Sequence, residues 1–238
     1  MAVNVLIDRF DVFANGFVVT LQVCILAGIG ALTIGTLVAV MRISPLPPLR
    51  AVGTAYVTVF RNVPLTVVSF FAAFGLPQLG SNADFLRIPV LDIVFSRLAI
   101  DLPYFRFFVI ALSLYTAAFV CEALRSGINA VSPGQAEAAR SLGLTFAQNL
   151  RLVVLPQAWK YAIVPLGSVI IAMIKNSALG GFFAVSGSLS AAADTLTSQE
   201  GLPLIPVFIG VSIGYLIMTV PLGILLDRVE NRRAAAAR

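Results

Sequence analysis

The sequence has no histidine and only two cysteines, Cys24 and Cys121, in 238 residues. The cysteines lie far apart in apolar stretches, so they provide neither a zinc-ligand spacing nor a disulfide framework, and no metal site is predicted. Charged residues are also scarce at 11%, whereas 59% of the residues are hydrophobic and the mean hydropathy is +0.96. A chain with so few polar residues cannot cover the surface of a water-soluble fold. Composition therefore predicts a protein of the lipid bilayer.

Several functions are disfavoured by what is missing. The formal net charge is +5, but the basic residues form no single patch interleaved with aromatic residues, as nucleic-acid binding requires. The sequence has no G-x-x-x-x-G-K-[ST] phosphate loop, so we expect no cofactor on this chain. An intramembrane enzyme needs a nucleophile with its base or a metal site, and neither is visible. We therefore expect no enzymatic activity of its own.

Five apolar stretches are long enough to cross a membrane, because a spanning helix needs about 20 mostly apolar residues. The fold class predicted is an all-α membrane protein in which residues 1–238 form one transmembrane domain. The predicted spans cover residues 14–41, 51–74, 104–124, 161–185 and 204–226. In the first span, small residues recur at every fourth position and predict close helix packing; these are Ala27, Ala31, Gly35 and Ala39.

Basic residues predict the orientation of these spans. An odd number of spans puts the termini on opposite sides of the membrane. With the N-terminus outside, ten Lys and Arg residues fall in cytosolic segments and four fall in outer segments. This bias follows the positive-inside rule, so the N-terminus is predicted outside and the C-terminus in the cytosol of a multi-pass plasma-membrane protein.

The cytosolic segment 130–160 between spans three and four is too polar to cross the membrane, and its turn residues predict two short helices. Ser132 precedes Pro133 and is followed three residues later by Gln135, which predicts a capping box at the first helix. Gly143 can end that helix in the left-handed conformation. Thr145 and Gln148 repeat the capping pattern for a second helix.

In this segment the sequence resembles the EAA motif of ABC (ATP-binding-cassette) importer permeases. The matching residues, at the spacing of the motif, are Glu137, Ala138, Ala139, Gly143, Leu155 and Pro156. The resemblance implies the type I ABC importer permease fold with five transmembrane helices. It also implies that the segment is a coupling helix seated in a groove of a separate ATPase. In that arrangement Glu137 is a polar contact, Ala138 and Ala139 form a close-packing surface, and Gly143 makes the turn.

The resemblance extends over nearly the whole chain. FRNVPLTVVSFF at 60–71 and IKNSALGG at 174–181 look like permeases that import polar amino acids, and GTAYVTVFRNVPLT at 53–66 is most similar to glutamate-uptake permeases of actinobacteria. The implied partners are an ABC ATPase that binds ATP and Mg, an extracytoplasmic solute-binding protein, and a second permease, either a paralogue or another copy. The exposed outer side, with its loop at 186–203, is where we expect the binding protein to dock.

Two cations lie inside apolar spans, where each costs a few kcal/mol unless it is paired or hydrated. Arg61 stands in span two just before Asn62 and Pro64, and a proline there frees a carbonyl and bends the helix. Lys175 stands in span four beside Asn176 and Ser177. We predict that Arg61 and Lys175 bind the substrate carboxylate. Asn176 and Ser177 would then supply neutral hydrogen bonds.

Alternatives remain open at this stage. Arg61 and Lys175 could instead pair with backbone carbonyls or with a neighbouring subunit and hold the bundle together. The cargo could be glutamine, arginine or histidine rather than glutamate. A gradient-driven secondary transporter is a further alternative, although paired repeats and acidic residues at mid-depth, which are typical of that class, are not visible. Glu122 and Arg125 are predicted to form an ion pair on one helix face.

Overall fold

The computed structural model describes residues 2–79, 103–183 and 185–236, and these residues form helices with no strand among them. The all-α prediction is confirmed. The helices are α1 (Ala2–Asp8), α2 (Phe10–Ile43), α3 (Pro47–Asn62), α4 (Leu65–Phe70), α5 (Leu76–Leu79), α6 (Pro103–Asn129), α7 (Pro133–Ser141), α8 (Phe146–Asn149), α9 (Leu155–Asn176), α10 (Leu189–Asp194) and α11 (Leu204–Ala236). A π-helical turn, Phe71–Gly75, joins α4 to α5, and a second one, Leu150–Val154, joins α8 to α9.

Four helical stretches are individually long and apolar enough to cross a membrane: Phe10–Ile43, Tyr104–Asn129, Leu150–Phe183 and Leu204–Arg232. The fifth candidate is broken, because Pro47–Asn62 and Leu65–Gln78 meet at an angle of 99°. Val63 adopts the extended conformation that a residue before proline prefers, with ψ of 130°, and the ring of Pro64 ends the hydrogen-bond ladder of α3. Predicted span 51–74 is therefore two helices at nearly a right angle.

Helix α6 lies at the centre of the bundle. In its most apolar stretch 67% of the residues are buried, whereas in the corresponding stretch of α11 only 17% are buried. Phe108, Leu112 and Val109 form the main core with Val23 of α2 and Ile174 of α9. Because α2, α3, α4 and α9 all pack against α6, displacement of α6 disturbs every other span it touches.

Small residues let α2 approach α6 closely, as the sequence predicts. Ala27, Ala31 and Ala39 are at most 4% exposed. At Gly35 an added Cβ would lie 2.6 Å from Cβ of Val120 and 2.8 Å from the carbonyl oxygen of Ala117. Since backbone cannot yield as a flexible side chain does, only glycine allows this helix separation.

The segment 186–203, which the sequence suggests is an exposed loop, is partly helical and only partly exposed. It contains α10 and a π-helical turn, Thr195–Gln199. Leu189 and Leu196 are 1% and 0% exposed because they pack into a cluster with Phe13 and Val207. The backbone N–H of Leu189 also donates to the Thr20 hydroxyl at 2.9 Å. Apolar side chains in a segment of mixed polarity thus anchor it to the bundle.

We predict that Gly35→Ala lowers the free energy of unfolding of the purified permease by about 1–3 kcal/mol, and with it the melting temperature, because the added methyl group meets α6 with no room to relax. The matched control is Gly223→Ala in α11, where a Cβ has no neighbour within 4 Å. That control is expected to be neutral or slightly stabilising, since alanine is the better helix former. Equal melting temperatures for the two variants would contradict the close packing at Gly35.

Candidate functional site

The candidate coupling segment begins with α7, and its start differs in detail from the prediction. Ser132 occupies the N-cap position and Pro133 the first turn, but the Ser132 side chain makes no capping hydrogen bond. The reason is that the N–H of Gln135, a usual target of the cap, donates to the carbonyl oxygen of Ser132 at 3.0 Å. The predicted capping box at Ser132 is therefore wrong, although the helix starts where it predicts.

The glycine turn and the second cap are confirmed. Gly143 has φ of +81°, the left-handed conformation in which glycine carries little steric cost. The backbone N–H of Thr145 donates to Oε1 of Gln148 at 2.9 Å, and the N–H of Gln148 donates to the Thr145 hydroxyl at 3.4 Å. This reciprocal pair is a capping box. It starts α8 directly after the turn.

The hairpin presents one face outward. Glu137 and Ala138 are exposed, whereas Ala139 is buried at 4%. The Asn149 amide donates to the carbonyl oxygen of Ala136 at 2.9 Å and so ties α8 back onto α7. Beyond the end of α7, Leu142 is 84% exposed. The outer surface of the hairpin therefore combines an acidic residue, Glu137, with two apolar ones, Ala138 and Leu142. No described residue covers this surface.

The second helix of the segment does not stop before the span. Leu155 and Pro156 are exposed and lie where the π-helical turn passes into α9, so the helix continues unbroken from Phe146 to Asn176. The prediction of a separate short helix is wrong. The wide π-helical turn, in which the N–H of Leu155 donates to the carbonyl oxygen of Leu150, accommodates Pro156 at the next position, where no N–H is available.

A charged cluster joins three helices near one end of α6. Both carboxylate oxygens of Glu122 are occupied, by Arg42 of α2 at Oε1 and by Arg125 of α6 at Oε2. The predicted pair is present, with Nη2 of Arg125 at 2.8 Å and Nε at 3.0 Å. Arg61 of α3 approaches the same carboxylate more loosely, with its Nη1 3.6 Å from Oε1. Three guanidinium groups therefore share one carboxylate.

Sequence reasoning missed Arg42 as a member of this cluster. Arg42 and Glu122 are 80 residues apart, and no local periodicity connects them. The one available signal was that both residues lie near the predicted cytosolic ends of their spans. That signal gives depth in the membrane but does not identify neighbours.

Arg61 sits at the last turn of α3, where the span breaks. Its side chain is 48% exposed, and its guanidinium carbon lies 6.0 Å from the centre of the Phe119 ring. The amide of Asn62 donates to the carbonyl oxygen of Thr58 at 2.6 Å, and Pro64 is exposed at the bend. Arg61 is thus held on one side by Phe119 and Glu122 and open on the other.

The three residues predicted as pathway residues in span four, Lys175, Asn176 and Ser177, lie in different environments. Lys175 is exposed in the last turn of α9 and has no ion-pair partner among residues 2–79, 103–183 and 185–236. Asn176 lines a cavity of about 350 Å³ with Tyr115, Thr116 and Phe119 of α6. Phe119 thereby connects Asn176 to the surroundings of Arg61.

Ser177 differs from its two neighbours. It is 3% exposed, and its hydroxyl donates to the carbonyl oxygen of Ile174 at 2.7 Å. It packs the end of α9 and offers no free hydroxyl to a cavity. Within the part of the chain that the structure describes, no three His, Cys, Asp or Glu side chains lie close enough to hold a metal ion.

Comparison with known proteins identifies the family. The family described as "Binding-protein-dependent transport system inner membrane component" matches residues 31–234. The chain is 40% identical over 233 residues to the probable glutamine ABC transporter permease protein GlnM of Bacillus subtilis, covering 98% of each chain. It is also 40% identical over 219 residues to the glutamate transport system permease protein GluC of Corynebacterium efficiens, covering 92% of each.

A solved structure agrees with these relatives. The crystal structure of an amino acid ABC transporter with histidines contains a chain that aligns with a TM-score of 0.78 and 30% sequence identity, covering 95% of this chain and 96% of that one. The helical bundle and the sequence thus lead to the same family. This chain belongs to the binding-protein-dependent transport system inner membrane components, as a membrane permease subunit of an amino-acid ABC importer.

Proposed function

We propose that this permease carries glutamate into the cytoplasm, driven by a separate ATPase that binds ATP and Mg. The proposal depends on the charged cluster: three arginines surround one carboxylate, so the region has an excess of positive charge. An anionic amino acid compensates that excess, whereas a cationic one adds to it. The relative GluC, named for glutamate transport, is consistent with this cargo.

Arg61 is the favoured carboxylate contact. Arg42 and Arg125 already contact the two oxygens of Glu122, and Arg61 reaches that carboxylate only at 3.6 Å with about half of its side chain exposed. A planar guanidinium that is weakly engaged on one side can bind a second carboxylate in a bidentate manner. Lys175, exposed in α9, would add a second positive charge, and Asn62, Pro64 and Asn176 would shape the pathway around them.

Glutamine is the second candidate, because the relative GlnM carries that name at the same 40% identity. The cavity beside Asn176 supports it in one respect. None of the described residues that line this cavity is charged, and the hydroxyl of Thr116 is buried there without a hydrogen-bond partner. A neutral amide side chain suits such a lining. Competition between the two amino acids distinguishes these cargoes.

The α7 hairpin is proposed to couple the permease to its ATPase. Exposed Glu137, Ala138 and Leu142 give it a surface suited to a groove in a partner: small residues permit close approach, and the 84% exposed Leu142 supplies apolar area. We further propose that the N-terminus lies outside and the C-terminus in the cytosol, with a solute-binding protein on the outer side. A second permease, a paralogue or another copy, completes the pathway.

The cargo is tested by reconstituting the permease with its ATPase, its solute-binding protein and any paralogous permease in vesicles, with labelled glutamate as the transported species. Uptake should require ATP, and unlabelled glutamate should compete more strongly than glutamine, aspartate, arginine or histidine. Stronger competition by glutamine would show that glutamine, not glutamate, is the preferred cargo. ATP-independent uptake would contradict an importer driven by an ATPase.

The role of Arg61 predicts a specific loss. Arg61→Ala should reduce glutamate uptake by roughly ten- to a hundredfold, since a hydrogen bond to a charged group contributes about 1.5–3 kcal/mol. Arg61→Lys should retain part of the activity, because it keeps the charge but not the planar fork. Arg9→Ala is the control: Arg9 forms an exposed pair with Glu200 at 2.7 Å, and such pairs contribute little. Full uptake by both Arg61 variants would exclude the proposed contact.

The hairpin predicts a separate coupling defect. Gly143→Ala places a Cβ at φ of +81°, which costs about 1–2 kcal/mol and distorts the turn. Co-purification of the ATPase and uptake per ATP hydrolysed should both fall. Gly134→Ala is the matched control, since its Cβ would meet only the Ser132 hydroxyl at an ordinary 3.7 Å. Identical coupling in the two variants would argue against Gly143 as the turn of the coupling element.

A further inference from the structure

Polar residues run along one exposed face of α3. Arg50, Thr54, Thr58 and Arg61 are spaced four, four and three residues apart, which places them on one side of a helix. All four are exposed, whereas Gly53 and Val57 are buried against the bundle. We call these four residues the α3 stripe. It is a polar face on a helix of a membrane domain, and no described residue covers it.

The threonine hydroxyls of this stripe differ in their hydrogen bonding from those of two exposed threonines of α2, Thr33 and Thr36, whose neighbours are aliphatic. Thr33 donates its hydroxyl to the carbonyl oxygen of Ile29 at 2.8 Å, and Thr36 donates to that of Leu32 at 2.6 Å. This internal bonding is what a hydroxyl facing hydrocarbon requires. The hydroxyls of Thr54 and Thr58 make no hydrogen bond within the part of the chain that the structure describes. They therefore need water or another polar group.

Neither lipid nor a second copy of the stripe meets this need. In hydrocarbon the two hydroxyls would lack a hydrogen-bond partner, and the charge of Arg61 would be costly to bury. A symmetric contact would place the stripe against itself, and its two arginines with no acidic member would face two more. Water with an anion supplies hydrogen bonds to the threonines and charge to the arginines. The chemistry of the stripe thus suits a hydrated anion.

One end of the stripe reaches the charged cluster. Arg61 contacts Glu122 at 3.6 Å, and the Asn62 amide continues the polar surface through its bond to the Thr58 carbonyl oxygen at 2.6 Å. Arg50 marks the other end, next to the break between α2 and α3. A carboxylate leaving Arg61 would therefore meet two hydroxyls and then a second guanidinium along one helix face.

We propose that the α3 stripe lines the hydrated path by which the carboxylate of the transported amino acid passes between Arg61 and the cytosolic side. This inference rests on the proposed function and on the orientation proposed with it. It assigns Thr54 and Thr58 as neutral hydrogen-bonding residues of the path and Arg50 as its charged exit.

The test is thiol accessibility in the reconstituted importer. T54C and T58C should react with a membrane-impermeant sulfonate thiol reagent at least about tenfold faster than the matched controls T33C and T36C, because the reactive thiolate is disfavoured in hydrocarbon. The native cysteines give little background, since Cys24 and Cys121 are 6% and 0% exposed. Saturating glutamate, or glutamine in a parallel sample, should slow the reaction at T54C and T58C only.

Two results would overturn the proposal: equal reaction rates at all four positions, or rates at T54C and T58C that neither amino acid alters. ATP-driven uptake of the same amino acids by the wild-type importer is measured in parallel. If wild-type uptake is present but protection is absent, the path is wrong while the transport function stands. If wild-type uptake of both amino acids is absent, the transport proposal itself fails.

Discussion

The arrangement of this bundle depends on the carboxylate of Glu122. A guanidinium in an apolar environment requires a partner, and here one acid serves arginines from α2, α3 and α6. Arg42 of α2 contacts this carboxylate directly, whereas Arg61 of α3 reaches it at 3.6 Å. Helix α3 is also attached to α6 by the Tyr56 hydroxyl, which donates to the carbonyl oxygen of Leu114 at 2.6 Å. The break at Pro64 lies just after the longer contact, that of Arg61.

Small residues fix the distances on which that arrangement depends. Gly35 brings α2 against the backbone of α6, and at Gly127 a Cβ would lie 2.6 Å from the carbonyl oxygen of Ala158 in α9. Packing in a membrane relies on such close approaches because lipid tails are as apolar as the side chains they replace. Steric contact therefore sets the distances between α6 and the helices α2 and α9. Exposed polar side chains occur on α3, on the α7 hairpin and at the C-terminal end of α11.

Much of this could be predicted from sequence, for reasons that are local. Gly143 and the Thr145–Gln148 cap involve residues within a few positions of one another, and proline at position 64 identified the break in the second span. The 99° angle of that break could not be predicted, since it depends on how α4 packs on α6. The Arg42–Glu122 contact was missed because it joins distant parts of the chain. Ser132 failed as a cap because backbone alone satisfied the available donor.

The continuity of α8 and α9 has a mechanical consequence. From Phe146 to Asn176 the chain forms one continuous helix about 45 Å long at 1.5 Å per residue, with Pro165 inside it, and the Asn149 amide joins its first turn to α7. A tilt of a few degrees at that end displaces the other by several ångströms. In the proposed coupling, this helix connects the hairpin directly to Lys175. A movement of the hairpin would then be transmitted along one continuous helix to the cavity at Asn176.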